Sequence, residues 1–200
     1  MLNWKASEPI IIRVEELGKF VCVAGVDRVE VYEVQRILEA AQKCKEKFRV
    51  VLQVVDADCI ASWRHAVSAA VKALRAFDES RNVCDKVEVE VILYLSGRRQ
   101  IRDAIEAVGV KSSSTRLAVI CLAEDAESAS SAVNCFRSAI GGVIDNSVLE
   151  IKSAEKAEIL RRVYDINDDE LSAVMRNDVD FGGAIERIVI ERGAILDLIK

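Results

Sequence analysis

The chain has 200 residues, 51% of them hydrophobic and 30% charged, with a formal net charge of −5. This length suffices for one domain with a sizeable core, and the composition excludes a disordered chain. The acidic balance excludes a dedicated nucleic-acid binder of the usual basic kind, because phosphate neutralisation supplies most of such a protein's affinity; an RNA role must come from a local patch or be shared with partners.

The opening "MLNWKASEP" has no signal-peptide apolar region, and no apolar run reaches bilayer-spanning length. A soluble, intracellular, cytoplasmic protein without membrane contact is expected. "IIIRVEELGKFVCVAG" reads as two strands turning near Leu17-Gly18. Asp27, with Glu30 three residues on, has an acidic variant of the capping-box spacing and opens a helix. Val31, Val34, Leu38 and Ala41 recur along it at helical intervals. "FRVVLQVV" is apolar on both faces and reads as a central strand.

"DADCIASWRHAVSAAVKALRAF" carries the clearest helical pattern. Ile60, Trp63, Val67, Ala70, Val71, Leu74 and Phe77 form its apolar stripe, and Arg64, Ser68, Lys72 and Arg75 fall opposite. The lone His65 sits at the margin of that polar face, as a partly exposed residue. "VEVEVILYLS" reads as a strand, with Val87, Val89 and Val91 alternating against Glu88 and Glu90. "RLAVICLA" is a buried strand, and "DAESASSAVNCFRSAI" a small-residue helix capped by Asp125. "GGVIDNSVLEI" is a turn with a short extended piece. "SAEKAEILRRVY", "DDELSAVM" and "FGGAIERIVIERGAILDLIK" are helices. The sum is an α/β fold: a single domain over residues 1–200, a mixed sheet of about five strands with helices packed on it.

Catalytic patterns are missing. There is one histidine, and no H-E-x-x-H, G-x-S-x-G, Walker A or G-x-G-x-x-G pattern occurs. The acidic "NDDE" (Asn167–Glu170) falls at a helix start, where carboxylates complement the dipole. None of the six cysteines forms a C-x-x-C pair, so buried free thiols are expected, with no metal and no cofactor.

One stretch stands out, "LYLSGRRQIRDAIEAVGVK". It reads as a strand, a turn at Gly97, and a helix from Arg98. Ile101, Ala104, Ile105 and Val108 make an i, i+3, i+4, i+7 stripe on that helix. Arg98, Arg99 and Arg102 crowd its start, where partial positive charge already sits. If Gly97 is the N-cap, Gln100 reaches back to an orphan N–H. The Gly97–Arg102 corner is either a plain strand–turn–helix junction with solvated arginines or a small-molecule or anion site, including that of an enzyme.

"SGRRQIRDAIEAVGVK" resembles the S-G-x-R-Q-I-x-x-A-I-x-x-x-G-x-K signature of the kinase-binding subunit of the KEOPS complex, the PRPK-binding protein family, of archaeal type. "IGGVIDNSVLEI" is similar to that family's I-G-G-x-I-D-D-S-V-L-E-I, with Asn146 in place of an acidic residue. "QVVDADCIASWRHAVSAAVKA" resembles its Q-x-x-x-A-D-x-x-x-x-x-x-H-x-x-x-A helix, and "FGGAIERIVIERGAI" its closing helix. The similarity runs from about Gln53 onward. "FDESRNVCDK" and "DINDDELSAVMRNDVD" look longer than in a compact member.

The resemblance implies a non-catalytic subunit, not an enzyme. Such a subunit binds a small atypical kinase/ATPase and helps bring tRNA, through its 3′-CCA end, to the complex that makes threonylcarbamoyladenosine. The expected isolated state is a monomer or weak dimer. A purely structural adaptor without RNA contact is the remaining alternative.

Kinase docking needs exposed apolar groups. On the closing helix Ile185, Ile188, Val189, Ile195, Leu196 and Ile199 form one stripe, and Ile190, Ala194 and Leu198 a second. The second stripe, with Ile101, Ala104, Ile105 and Val108, is the candidate kinase surface; packing into the domain's own core is the alternative for each. The candidate tRNA-binding residues are Arg64, His65, Lys72 and Arg75 on one helix, and Arg98, Arg99, Arg102 and Lys111 at the corner.

Overall fold

Residues 6–29, 33–175 and 179–199 are described by a computed structural model. Ile10–Val14 (β1) and Lys19–Asp27 (β2) form the expected hairpin, in register from Ile10 opposite Val23 to Val14 opposite Lys19. Gly18 closes the turn at φ +61°, a left-handed conformation that costs glycine little. Val34–Phe48 (α1), Val51–Asp56 (β3), Trp63–Asp78 (α2), Val87–Ser96 (α3) and Ile101–Val108 (α4) follow. Then come Leu117–Ala123 (β4), Ala126–Ile140 (α5), Val143–Ile144 (β5), Ala154–Val163 (α6), Asp168–Met175 (α7) and Phe181–Ile199 (α8).

The sheet has five strands, in the order β1-β2-β4-β3 with β5 paired to the end of β2. Every pairing among the described residues is antiparallel. Side-chain alternation divides the interior in two. Val21, Val23, Val55, Ala118, Ile120 and Leu122 face a layer that includes α2, α3, α4 and α8. Cys22, Ala24, Leu52, Val54, Val119 and Cys121 face α1 and α5. The α/β single-domain expectation of about five strands with helices packed on them holds, as three layers, but among the described residues the sheet is antiparallel and not mixed.

Several local expectations change. "VEVEVILYLS" is helix α3 rather than a strand, and the fifth strand is the short β5. From Glu90 to Ser96 every residue of α3 is buried. It packs against α2, α4 and α8, and a helix in such a place satisfies its own backbone where a strand would need sheet neighbours. Its two glutamates, which suggested a wet strand face, have other uses. Glu90 accepts from the amides of Val83 (3.0 Å) and Cys84 (3.1 Å), and Glu88 pairs with Lys45. Burying Leu93 and Leu95 contributes about 1.5–3 kcal/mol each relative to exposure.

β3 lies at the sheet edge, not its centre; it is apolar on both sides because α1 and α3 cover its two faces. Asp27 ends β2 instead of opening a helix, and α1 begins at Val34 after Glu33. Glu30 and Val31 lie outside the described residues. Ile37, Ala41 and Cys44 are the buried side of α1, while Leu38 is exposed.

α2 is rotated relative to the expected stripe. Its innermost side is His65, Ala66, Ala69, Ala70, Ala73 and Ala76. Trp63, Val67, Val71 and Leu74 only flank the core. Small side chains let α2 lie close against α3, its most extensive helical neighbour. Ser62 and Asp125 cap α2 and α5 through the amides of His65 (3.1 Å) and Ser128 (2.7 Å).

Candidate docking and RNA surfaces

α8 divides its two apolar stripes between core and solvent. Ala184, Ile185, Ile188, Val189 and Leu196 are buried. The Gly193 backbone lies so near Tyr94 that a Cβ would stand 2.6 Å from the Tyr94 carbonyl oxygen. One turn on, Asp197 accepts from the Tyr94 hydroxyl at 2.5 Å and pairs with Arg81 at 3.2 Å. Burial, then the bond to Asp197, raises the Tyr94 pKa. The inner side is thus pinned to α3 and to the polar connection after α2. On the outer side Ile190 is half-buried, Ala194 exposed, Ile195 44% exposed and Leu198 83% exposed. The side chain of Ile199 lies outside the described residues.

α4 splits the same way. Ala104 and Val108 are fully buried, so these two expected docking residues are core. Ile101 and Ile105 are 43% and 49% exposed. Of the candidate docking residues, Ile101, Ile105, Ala194 and Leu198 are exposed and Ile190 is half-buried.

The corner joins two helices, not a strand and a helix. Gly97 ends α3 at φ +65°, and α4 begins at Ile101 with Gln100 as its N-cap. Gln100 makes no side-chain cap bond, and Arg98 and Arg99 precede the helix instead of occupying its first turn. An open groove of about 780 Å³ lies here, floored by Leu93 and walled by Val83, Arg99, Ile101 and Asp103. Arg98 also borders it, but its guanidinium donates to the Val163 carbonyl at 2.8 Å and stands 3.6 Å from Asp165, at the end of α6. Arg99, Arg102 and Lys111 are exposed and form no ion pair among the described residues.

The α2 cluster is more committed. Arg64 lies over the Trp63 ring at 4.7 Å and 3.7 Å from Glu186. Lys72 donates to Ser68 at 2.7 Å, and partial burial lowers its pKa. Arg75 pairs with Glu16. His65 is 1% exposed, which corrects the expected surface position. Its Nδ1 accepts from the Ala61 amide at 3.4 Å and its Nε2–H donates to the Leu95 carbonyl at 3.0 Å. Tyr164 meets the ring edge-on with centroids 5.8 Å apart. Burial holds the His65 pKa down at about 4. It is a neutral core residue, out of reach of RNA.

Lys156 escaped the sequence reading. It is 3% exposed, donates to the Val148 carbonyl at 2.5 Å, and burial lowers its pKa to about 8. The available signal was its place four residues before Leu160, on the inner side of α6. Among the described residues no group of three or more His, Cys, Asp or Glu is placed to hold a metal ion. No described helix is long and apolar enough to cross a membrane.

Residues 30–197 match the family described as kinase binding protein CGI-121. The chain belongs to that family. It is 31% identical over 151 residues to the regulatory protein Cgi121 of Methanocaldococcus jannaschii, covering 74% of this chain and 84% of the relative. It is also 34% identical over 59 residues to the KEOPS complex subunit Cgi121 of Pyrococcus abyssi, 30% of this chain and 33% of that one.

The CGI-121 match gives the motif residues a setting. Gly97 packs on α8, where an added Cβ would lie 2.8 Å from the Arg192 Cβ. Asn146 is fully buried, accepting from the Gly25 amide at 2.9 Å and donating to the Glu8 carbonyl at 2.7 Å. A carboxylate could make the first bond but not the second, which accounts for an amide at that position here.

Proposed function

We propose that the chain is a non-catalytic cytoplasmic subunit of the KEOPS complex that binds the complex's small kinase/ATPase and helps recruit tRNA through its 3′-CCA end for threonylcarbamoyladenosine formation. Family membership and the name of the Pyrococcus abyssi relative, a KEOPS complex subunit, support the assembly. The observation that carries the docking role is the outward apolar stripe of α8, Ile190, Ala194 and Leu198, continued by Ile195. A packed helix whose second side is also apolar is suited to a partner. Ile101 and Ile105 extend the candidate kinase surface. For RNA, Arg99, Arg102 and Lys111 are the candidates with the fewest internal commitments. Arg64, Lys72, Arg75 and Arg98 rank behind them because each already has a partner inside the domain.

A pull-down from the source lysate tests the assembly; recovery of a small kinase/ATPase supports it and its absence counts against it. Gel shifts with intact tRNA and with tRNA lacking CCA test the second half. Weak, salt-sensitive binding that needs CCA is expected, and equal binding of both, or of neither, defeats the CCA role. No binding of either with kinase capture intact leaves the structural adaptor. The anion-site reading retains the groove beside Gly97, but Asp103 on its wall and the turning away of Arg98 weaken it.

A further inference from the structure

All six cysteines are free thiols, and five are buried. Two of them meet. Cys44 on α1 and Cys135 on α5 bring their sulfur atoms to 2.8 Å. That is closer than the ~3.5–4.0 Å at which even carbon atoms rest, and sulfur is the larger atom. It still exceeds the ~2.05 Å of a covalent S–S bond. The two helices pack side by side over the sheet face of Cys22, Leu52, Val119 and Cys121, and their own Cys44, Ala132 and Phe136 join that core, so their separation is set by a shared core and not by the thiols. Cys44 is enclosed, whereas Cys135 is partly open to solvent. Cys135 is therefore the more accessible residue of the two.

We propose that Cys44 and Cys135 are a covalent modification site, a dithiol that closes into a disulfide joining α1 to α5 by exchange with a small disulfide of the glutathione class. The Cys135 thiol loses its proton and its sulfur attacks the small disulfide, whose S–S bond breaks. One reduced small thiol leaves and a mixed disulfide remains on Cys135. The Cys44 thiol loses its proton and displaces the second small thiol from Cys135. Two protein thiols are oxidised, one small disulfide is reduced to two thiols, and both protons end on the leaving thiols.

The first step belongs to Cys135 on access alone. Burial and the neighbouring sulfur push the Cys44 thiol up to about 12, so it is a poor first nucleophile but well placed for the second displacement. The bond would close a loop of about 90 residues in the unfolded chain, the size class in which a cross-link restricts that state most. Cys22 and Cys121 stand opposite each other in the β2–β4 ladder, but both are fully enclosed. A small disulfide has no path to them in the folded protein.

The test uses the full folded chain treated with oxidised glutathione, then acid-quenched, unfolded and alkylated. The number of alkylated thiols is expected to fall from six to four. Peptide mapping without reductant is expected to find one linked pair, Cys44 with Cys135, two hydrogens lighter than the reduced peptides together. The oxidised chain should melt several degrees higher, and dithiothreitol should reverse the shift. Cys135→Ser changes a partly exposed residue and should keep all five remaining thiols. Six alkylated thiols in the treated wild type, a linked Cys22–Cys121 peptide, or glutathione held stably on Cys135 would each overturn the proposal. All three are read on the wild-type chain, whether or not the variant folds.

Discussion

His65 is the only histidine in the chain, so its titration can be followed without overlap. The imidazole is held as one tautomer, with Nδ1 accepting from Ala61 and Nε2–H donating to Leu95. Protonation would place an N–H on Nδ1 against the Ala61 N–H, donor to donor, inside the core. The pKa is lowered from 6.5 to about 4, chiefly by burial. A histidine whose folded pKa lies below its unfolded value takes up a proton first in the unfolded chain. Stability is unaffected above about pH 6.5 and falls as pH drops from there towards 4. At 1.36 kcal/mol per pH unit, that interval corresponds to a loss of about 3 kcal/mol. Two measurements check it. The imidazole C2 proton, followed by NMR, should keep its neutral shift well below pH 6. Urea unfolding of wild type and His65→Gln between pH 7 and 4 cancels the carboxylates common to both. The wild-type advantage should shrink by about 3 kcal/mol across that range. A midpoint near 6.5, or an advantage independent of pH, would refute the buried neutral assignment and return His65 to the candidate RNA surface.

Leu198→Glu should reduce kinase capture while shifting stability by no more than about 0.5 kcal/mol, because the side chain already faces water; unfolding of the isolated variant would place Leu198 in the core. Arg99→Ala and Arg102→Ala should weaken tRNA binding and lower the log–log salt slope by about 0.7 for each phosphate no longer neutralised, read by gel shifts at several salt concentrations. An unchanged slope removes these arginines from the RNA surface. Gly97→Ala should destabilise by at least about 1–2 kcal/mol from its left-handed backbone alone, with the close approach to Arg192 adding to it. A melting midpoint equal to wild type would show that this crossing relaxes.

What could be read beforehand followed the strength of local patterns. The β1–β2 hairpin, β4, and α5 with its Asp125 cap each have one dominant signal and were legible to within a residue or two. α3 was not, because a helix surrounded by protein loses the one-sided pattern that distinguishes it from a strand. Its apolar stretch from Val91 to Leu95 is as short as a strand, and the glutamates that mimicked alternation turn to Lys45 and to the loop amides of Val83 and Cys84. The buried face of α2 was hidden by size. Val67 and Leu74 outweigh alanines in hydropathy and Trp63 outweighs them in size, yet close approach to α3 selects the alanines. The same error misplaced His65, which shares that alanine side. At the corner, Gly97 reads as a turn and is one, but the direction of Arg98 depends on the Val163 carbonyl, 65 residues away in sequence.

The alternatives for the closing helix, own core or partner surface, divide along its length and around its axis. Early α8 places Ala184, Ile185, Ile188 and Val189 inward; late α8 is anchored by Gly193 on Tyr94 and by Asp197, leaving Ile195 and Leu198 outside. Isolated apolar residues on a surface are ordinary, but a row along one helix repeats every turn and presents a continuous ridge. The corner is fixed to the same helix, since Gly97 rests on Arg192 while Gly193 rests on Tyr94. The proposed apolar surface and the exposed Arg99, Arg102 and Lys111 are therefore carried by one packed unit of α3, α4 and α8 with the turn that follows α4. Under the proposed function, that rigidity is what would hold a docked protein and an RNA end at a set spacing.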